Sequence, residues 1–302
     1  MSPDLSHLAP ECRDEARLST EDRIARIKVE RWISYPKAET ALARLQDLLE
    51  YPQRDRMPCF LLFGSTGMGK TKILRKFLRD HPPMFDSRMG VLAAQAVYMQ
   101  MPPEPDERSF YSELLEGLQA PVTWGMTVHQ MRRVVRELMR FVGARLLIID
   151  EVHALLASSY RQQRILLNTL RFLANELRIP LVCAGTADAK RALTTDPQLA
   201  DRFEALELPH WHNDEAFRRL LASFEAVLPL RKDSDLAAPV IRRLLLERTQ
   251  GITVRIVRLL EALAVEAVRS GKERIDQESL SSMTVSAPLL SMSEDAGVVP
   301  PA

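Results

Sequence analysis

Apolar residues recur along this chain in two rhythms, which alternate over its first two thirds and then reduce to one. The aliphatic runs Cys59–Phe63, Arg145–Ile149 and Leu181–Gly185 are continuous rather than alternating, the pattern of strands covered on both faces. The long, nearly uncharged run Met89–Met101 is read as another such strand, and Ala205–Leu208 as a short last one. Between them the spacing becomes helical. Ile73, Leu74, Phe77 and Leu78 share one face of Lys70–Asp80, and Val128, Met131, Val135, Leu138 and Val142 one face of Thr127–Val142. Glu107–Leu118 and Tyr160–Leu177 are helices by the same reading, a short helix starts near Asp188, and Asp196-Pro197 starts another with a good cap and a good first residue. Strands separated by helices predict a parallel sheet covered on both faces.

Beyond Pro209 the strand rhythm stops. Asn213-Asp214-Glu215 caps a helix to Leu228, Pro239–Thr249 is a second, and Thr253–Arg269 a third with Ile256, Leu259, Leu260, Leu263 and Ala267 on its face. This stretch is therefore read as a separate all-helical unit. At the other end, residues 1 to about 22 are polar and read as a flexible arm. In Glu21–Trp32, Ile24 and Ile27 alternate with Arg23, Arg26, Lys28 and Arg31, a basic helix that either faces solvent or meets nucleic acid. Ala38, Ala41, Leu42, Leu45, Leu48 and Leu49 mark a further helix, stopped by Tyr51-Pro52. The expected division is 1–56 for the arm and first helices, 57–209 for the α/β core, 210–285 for the helical unit, and 286–302 for a disordered tail.

Composition changes this picture little. Lys+Arg 41 against Asp+Glu 40 gives the 302 residues a formal charge of +1, so any nucleic-acid contact must come from local basic faces. The three cysteines, Cys12, Cys59 and Cys183, fit neither a disulfide framework nor zinc spacing. Apolar runs are too short to span a bilayer, so the expectation is a cytoplasmic protein with no membrane partner.

The chemistry lies where strands end. Directly after Phe63 comes Gly64-Ser65-Thr66-Gly67-Met68-Gly69-Lys70-Thr71, which matches the phosphate-binding spacing G-x-x-x-x-G-K-[ST] at every position. Glycines let backbone N–H groups curl around an anion, and the helix starting near Gly69 turns its positive end to the same place. Lys70 reaches β- and γ-phosphates, and the Thr71 hydroxyl is placed to ligate Mg²⁺. The second landmark is the strand ending in Asp150-Glu151, which delivers two acids to the carboxyl edge of a parallel sheet. Asp150 would hold the magnesium, and Glu151 is the natural base for an attacking water. The next buried strand brings Thr186 to the same edge.

A helix pair, this loop, an aliphatic strand ending in Asp-Glu, a strand ending in Gly-Thr and a helical C-terminal unit together resemble the AAA+ ATPases over about residues 32 to 280. Within that superfamily, Arg31-Trp32-Ile33-x-Tyr35-Pro36, Leu48-Leu49-x-Tyr51-Pro52, Arg56-Met57-Pro58 and Asp150-Glu151-Val152-His153 resemble TniB, the transposition ATPase type related to TnsC and the phage protein MuB. The resemblance implies an ATP- and Mg²⁺-dependent regulator that assembles as a homo-oligomeric ring or filament on double-stranded DNA. It implies as partners a DDE transposase and a TniQ-like protein. Residue by residue, it implies a sensor role for Thr186, an arginine finger for Arg202 reaching a neighbouring subunit's ATP, and a γ-phosphate sensor role for Arg255. It further implies an adenine pocket lined by Ile33, Tyr35 and Pro36. Thr186 stands where many AAA+ members have Asn, and Ser65-Thr66-Gly67-Met68 differs from the Pro-Thr-Asn-Asn associated with TniB proteins.

Plainer readings stand beside these. Arg202 is equally a surface charge or an internal ion pair, Arg255 a solvated helix residue, and His153 a hydrogen-bonded structural histidine. Trp124, Arg132 and Arg133 form either a DNA-facing patch or an exposed basic face. A helicase loader or replication initiator, and a nucleotide-gated adaptor that touches no nucleic acid, are the competing functions; a small-molecule kinase has no obvious use for Glu151.

Overall fold

The computed structural model describes residues 4–87, 90–121 and 125–282. Its contacts divide the chain into two compact units, Pro36–His210 and a second in which the residues up to Tyr35 join those from Trp211 onward.

The chain begins in the second unit with α1 (Pro10–Arg13), a 3-10 turn at Glu15–Arg17 and α2 (Thr20–Ile27). The arm expected to be flexible is ordered here. Leu5, Leu8, Cys12 and Ala16 are buried, a helical spacing that Pro10 and the surrounding charges disguise, and the Ala9 N–H donates to the Ala226 carbonyl at 2.9 Å. The basic helix is not a uniformly solvated face either. Arg23 is 1% exposed and donates to both carboxylate oxygens of Glu273, at 2.6 and 2.8 Å. Burial pushes the Glu273 carboxyl up, but Arg23 and Arg231 outweigh it and hold it below its ordinary value.

The first unit then follows: α3 (Pro36–Glu50), β1 (Cys59–Phe63), α4 (Lys70–Asp80), β2 (Met84–Asp86), β3 (Val91–Ala93), β4 (Ala96–Gln100), α5 (Glu107–Gly117) and α6 (Val128–Phe141). It continues through β5 (Leu146–Asp150), a 3-10 segment Val152–Ala157, α7 (Tyr160–Leu177), β6 (Leu181–Gly185), α8 (Ala187–Thr194), α9 (Pro197–Ala200) and β7 (Phe203–Glu207). Five strands form one parallel sheet in the order β4-β5-β6-β1-β7. Every residue of β5 and β6 is buried, as the continuous aliphatic runs require of central strands. Alternate residues (Leu61, Leu147, Ile149, Cys183) pack with α5, α6, α7 and α8 in one continuous core.

The run expected to be a single strand over 89–101 is broken. β3 pairs antiparallel with β2 in a separate hairpin, β4 starts only at Ala96, and Met89 lies outside the described residues. β4 is an edge strand and alternates, with Val97 and Met99 buried and their neighbours partly exposed. Low charge alone cannot distinguish that from burial on both faces.

The chain returns to the second unit with α10 (Glu215–Val227), α11 (Pro239–Thr249), α12 (Thr253–Arg269) and α13 (Gln277–Ser282). Ile256, Leu259, Leu260 and Leu263 of α12 meet Phe217, Leu220 and Leu221 of α10 and Ile27 of α2 in its core. The tail from residue 286 lies outside the described residues. Among the described residues no helix is long and apolar enough to cross a membrane.

Arg23→Ala would strand Glu273 without its bidentate partner, and a loss of about 3 kcal/mol is expected from denaturant unfolding. Because the carboxyl is held below its ordinary value, the wild-type advantage is present above the ordinary carboxylate range and fades as pH falls through the lowered one. A gap of equal size at about pH 7 and about pH 3 would contradict this.

Candidate nucleotide site

The loop after β1 is shaped by what surrounds it. The Gly64 N–H donates to the Gly185 carbonyl of neighbouring β6 at 3.2 Å, and a Cβ on Gly64 would lie 2.5 Å from the Leu208 carbonyl oxygen. Only glycine fits between these two backbones. Gly69, at φ 96 and ψ 13, is the left-handed cap of α4, so the unpaired N–H groups of an eleven-residue helix open onto the loop. Met68 is buried beneath it, Ser65 and Thr66 are exposed, and Gly67 has φ 81. Lys70 is 6% exposed, and its Nζ donates to the carbonyls of Gly64 at 2.8 Å and Ser65 at 3.0 Å. Burial lowers the Lys70 pKa, and the charges of Glu151 and Asp150 oppose that shift.

Thr71, one residue into α4, makes the decisive contact. Its Oγ1 donates to Asp150 Oδ2 at 2.6 Å. Asp150 ends β5, is 1% exposed, and accepts the Glu151 N–H on Oδ1 at 2.8 Å. Tyr98 of β4 adds its hydroxyl to Oδ2 at 3.4 Å; burial first, then the Asp150 charge, push Tyr98 up to about 12, so it remains a donor. A hydroxyl and a carboxylate already in contact are the oxygen donors a hard divalent cation takes, with water and phosphate completing its shell. Thr71 and Asp150 thus fit Mg²⁺, whereas no group of three or more His, Cys, Asp or Glu suited to a metal occurs among the described residues.

Glu151 follows with a left-handed backbone, φ 56 and ψ 34, and its Oε2 lies 3.3 Å from His153 Nε2. Thr186 follows the end of β6 and caps α8; its Oγ1 is buried with no partner. The loop, Thr71, Asp150, Glu151 and Thr186 therefore gather at the carboxyl edge of β1, β5 and β6. Arg202 does not join them. It precedes β7, where its carbonyl accepts the Cys59 N–H at the start of β1, so it stands the length of β1, about 16 Å, from its own loop. Its guanidinium donates to Asn175 at 2.7 Å.

Ile33, Tyr35 and Arg255 belong to the other unit. Tyr35 meets Trp211 edge to face at 5.1 Å, burial raises its pKa to about 12, and Ile33 packs on the same core. Arg255 donates to Gln250, and Pro36 opens α3. Trp124 lies outside the described residues. The arginines of α6 have partners within the chain: Arg132 with Glu107, Arg133 with Glu137, Arg136 and Arg140 with Glu176. Arg132 and Arg136 also lie over the Phe172 ring. Two site contacts had no sequence signal: Tyr98, one residue of an apolar run, and His210, whose Nε2 is 2.9 Å from Ser65 Oγ.

A five-stranded parallel sheet in this order, a phosphate loop after β1, paired acids after β5 and a C-terminal helical region define the P-loop NTPase fold of the AAA+ class. Solved structures agree in fold. The Aeropyrum pernix ORC2 protein in ADPNP-ADP complexes is 16% identical with a TM-score of 0.60, covering 91% of this chain and 74% of its own. The Aeropyrum pernix ORC1 protein in complex with DNA is 20% identical with a TM-score of 0.60, covering 86% and 68%. Cdc6p from Pyrobaculum aerophilum is 20% identical with a TM-score of 0.56, covering 83% and 67%. The family model described as bacterial TniB protein matches residues 23–213, and the chain belongs to the TniB family. No curated protein matches the sequence.

Lys70→Met should fold normally, because it replaces a buried ammonium with an apolar chain of similar length. MgATP at about a hundred times Kd should add about 2.7 kcal/mol to the wild type, a Tm rise of roughly 5 °C or more. The variant should show almost none. An equal rise in both would remove Lys70 from the site.

Proposed function

We propose that this chain is an ATP-hydrolysing, DNA-binding regulator of transposition. The observation that carries the reading is the Thr71–Asp150 contact with Glu151 immediately beside it; membership of the TniB family supports the biological setting. The loop amides from Gly64 to Gly69 cradle the phosphates of ATP, and Lys70 places its charge on the β- and γ-oxygens. Thr71 and Asp150 would hold Mg²⁺, which would supply charge neutralisation to the phosphates. Glu151 takes a proton from a water as that oxygen bonds to the γ-phosphorus. The bond to the β–γ bridging oxygen breaks, leaving ADP and phosphate. Thr186 contacts the γ-phosphate or the attacking water through a hydroxyl with no other protein partner.

Arg202, remote from its own loop, serves the site of a neighbouring copy, so ATP occupancy and assembly into a ring or filament are coupled. Ile33, Tyr35 and Pro36 contact adenine, and Arg255 reports the γ-phosphate. In this reading 57–209 is the ATPase core and 210–285 its helical partner. Assembled copies bind duplex DNA mainly through phosphates, with strong salt dependence and little sequence preference. They recruit a DDE transposase, together with a TniQ-like protein, in the cytoplasm. A replication-initiator reading draws only on likeness to the ORC and Cdc6 proteins at 16–20% identity.

Glu151→Gln should bind MgATP like the wild type, turn it over about a hundredfold more slowly, and persist on duplex DNA in filter binding. Rapid turnover by this variant would exclude Glu151 as the base. Failure of the wild type to retain duplex DNA at low salt, with and without ATP, would favour a nucleotide-gated adaptor.

A further inference from the structure

His153 has no part in the mechanism above, yet it is the residue on which Glu151 rests. The chain leaves β5 at Asp150, passes through the left-handed Glu151, and turns at once into the 3-10 segment, pinned by the Ala154 N–H donating to the Glu151 carbonyl at 2.9 Å. That tight turn brings residues two apart face to face, and His153 Nε2 approaches Glu151 Oε2 at 3.3 Å. Across this ion-pair distance Nε2 can donate to the carboxylate in the neutral Nε2–H tautomer and in the imidazolium, and not in the neutral Nδ1–H tautomer.

The other side of the ring lies towards Gly185. Nδ1 is buried without a partner, and it lies 3.2 Å from the position a Cβ of Gly185 would take, with the His153 backbone nitrogen at 3.3 Å. Gly185 is itself fixed, since its carbonyl accepts the Gly64 N–H of the phosphate loop. The imidazole thus lies between the carboxylate on one side and, on the other, the sheet edge that carries the loop. A free glutamate side chain samples several rotamers, and this arrangement removes that freedom from the acid that must meet a water in one place.

We infer that His153 is a positioning residue for hydrolysis: its Nε2–H holds the Glu151 carboxylate in the orientation from which it takes the proton of the attacking water, from a ring seated beside Gly185. The inference rests on the reading of Glu151 as the base. A positioning role predicts a loss in turnover without a loss in binding, because the ring touches neither the loop nor Asp150 through any hydrogen bond.

The test compares His153→Ala, His153→Phe and His153→Gln with Glu151→Gln, measuring MgATP affinity by calorimetry and kcat and KM by phosphate release. His153→Ala and His153→Phe should lower kcat by about 10- to 100-fold with Kd and KM within about twofold. His153→Gln keeps an N–H donor and should recover most of the loss, which a space-filling role would not produce. Should the bulk of Phe prevent folding, the smaller Ala variant gives the same comparison. Wild-type kcat in His153→Ala or His153→Phe while Glu151→Gln is inactive would overturn this inference alone, and an equal loss in the Gln and Phe variants would reduce His153 to packing. Full turnover by Glu151→Gln would overturn the base assignment and this inference with it.

Discussion

One hydrogen bond, from the Thr71 hydroxyl to the Asp150 carboxylate at 2.6 Å, joins the helix after the phosphate loop to the strand that ends in the paired acids. A carboxylate 1% exposed is costly unless its oxygens are satisfied. Here Thr71, the Glu151 N–H and Tyr98 satisfy them. The contact exists only because β6 pairs with β5 on one side and β1 on the other, which sets two distant sequence segments side by side at one sheet edge. The nucleotide chemistry proposed for this chain depends on that register.

The remainder of the site follows from confining charge to that edge. β5 and β6 are buried throughout, so polar groups appear only where the strands run out. Lys70 is held by two loop carbonyls, Gly64 threads between Leu208 and Gly185, and Glu151 adopts a left-handed backbone as it leaves the sheet. Such a conformation costs about 1 kcal/mol or more for a non-glycine residue and persists because its neighbours fix it. Groups fixed in advance require little reorganisation when a charged substrate binds, which is how electrostatic stabilisation becomes effective.

Much of this was legible in the sequence because it was written locally. The helices Lys70–Asp80, Tyr160–Leu177, Pro239–Thr249 and Thr253–Arg269 follow from apolar period and caps, and the loop and the paired acids from fixed spacings. What escaped was decided by distant partners. Arg23 reads as one more charge on a basic helix until Glu273, 250 residues on, buries it. Leu5, Leu8, Cys12 and Ala16 keep a helical spacing across a polar stretch that looks unstructured. The basic face of α6 is paired with Glu107, Glu137 and Glu176, and only Glu137 lies within its own helix. The run 89–101 splits because Val91–Ala93 pairs with Met84–Asp86 in a separate hairpin, a fact of topology that no window of residues contains.

The central claim, that Thr71 and Asp150 act as one unit in holding magnesium-bound ATP, is tested most directly by a double-mutant cycle. Calorimetry would follow MgATP binding to the wild type, Thr71→Ala, Asp150→Asn and the double variant. Residues acting as one unit should lose affinity together, so the double variant should bind about as weakly as the worse single one, with a coupling of about 1 kcal/mol or more. Losses that simply add, within about 0.5 kcal/mol, would contradict the account.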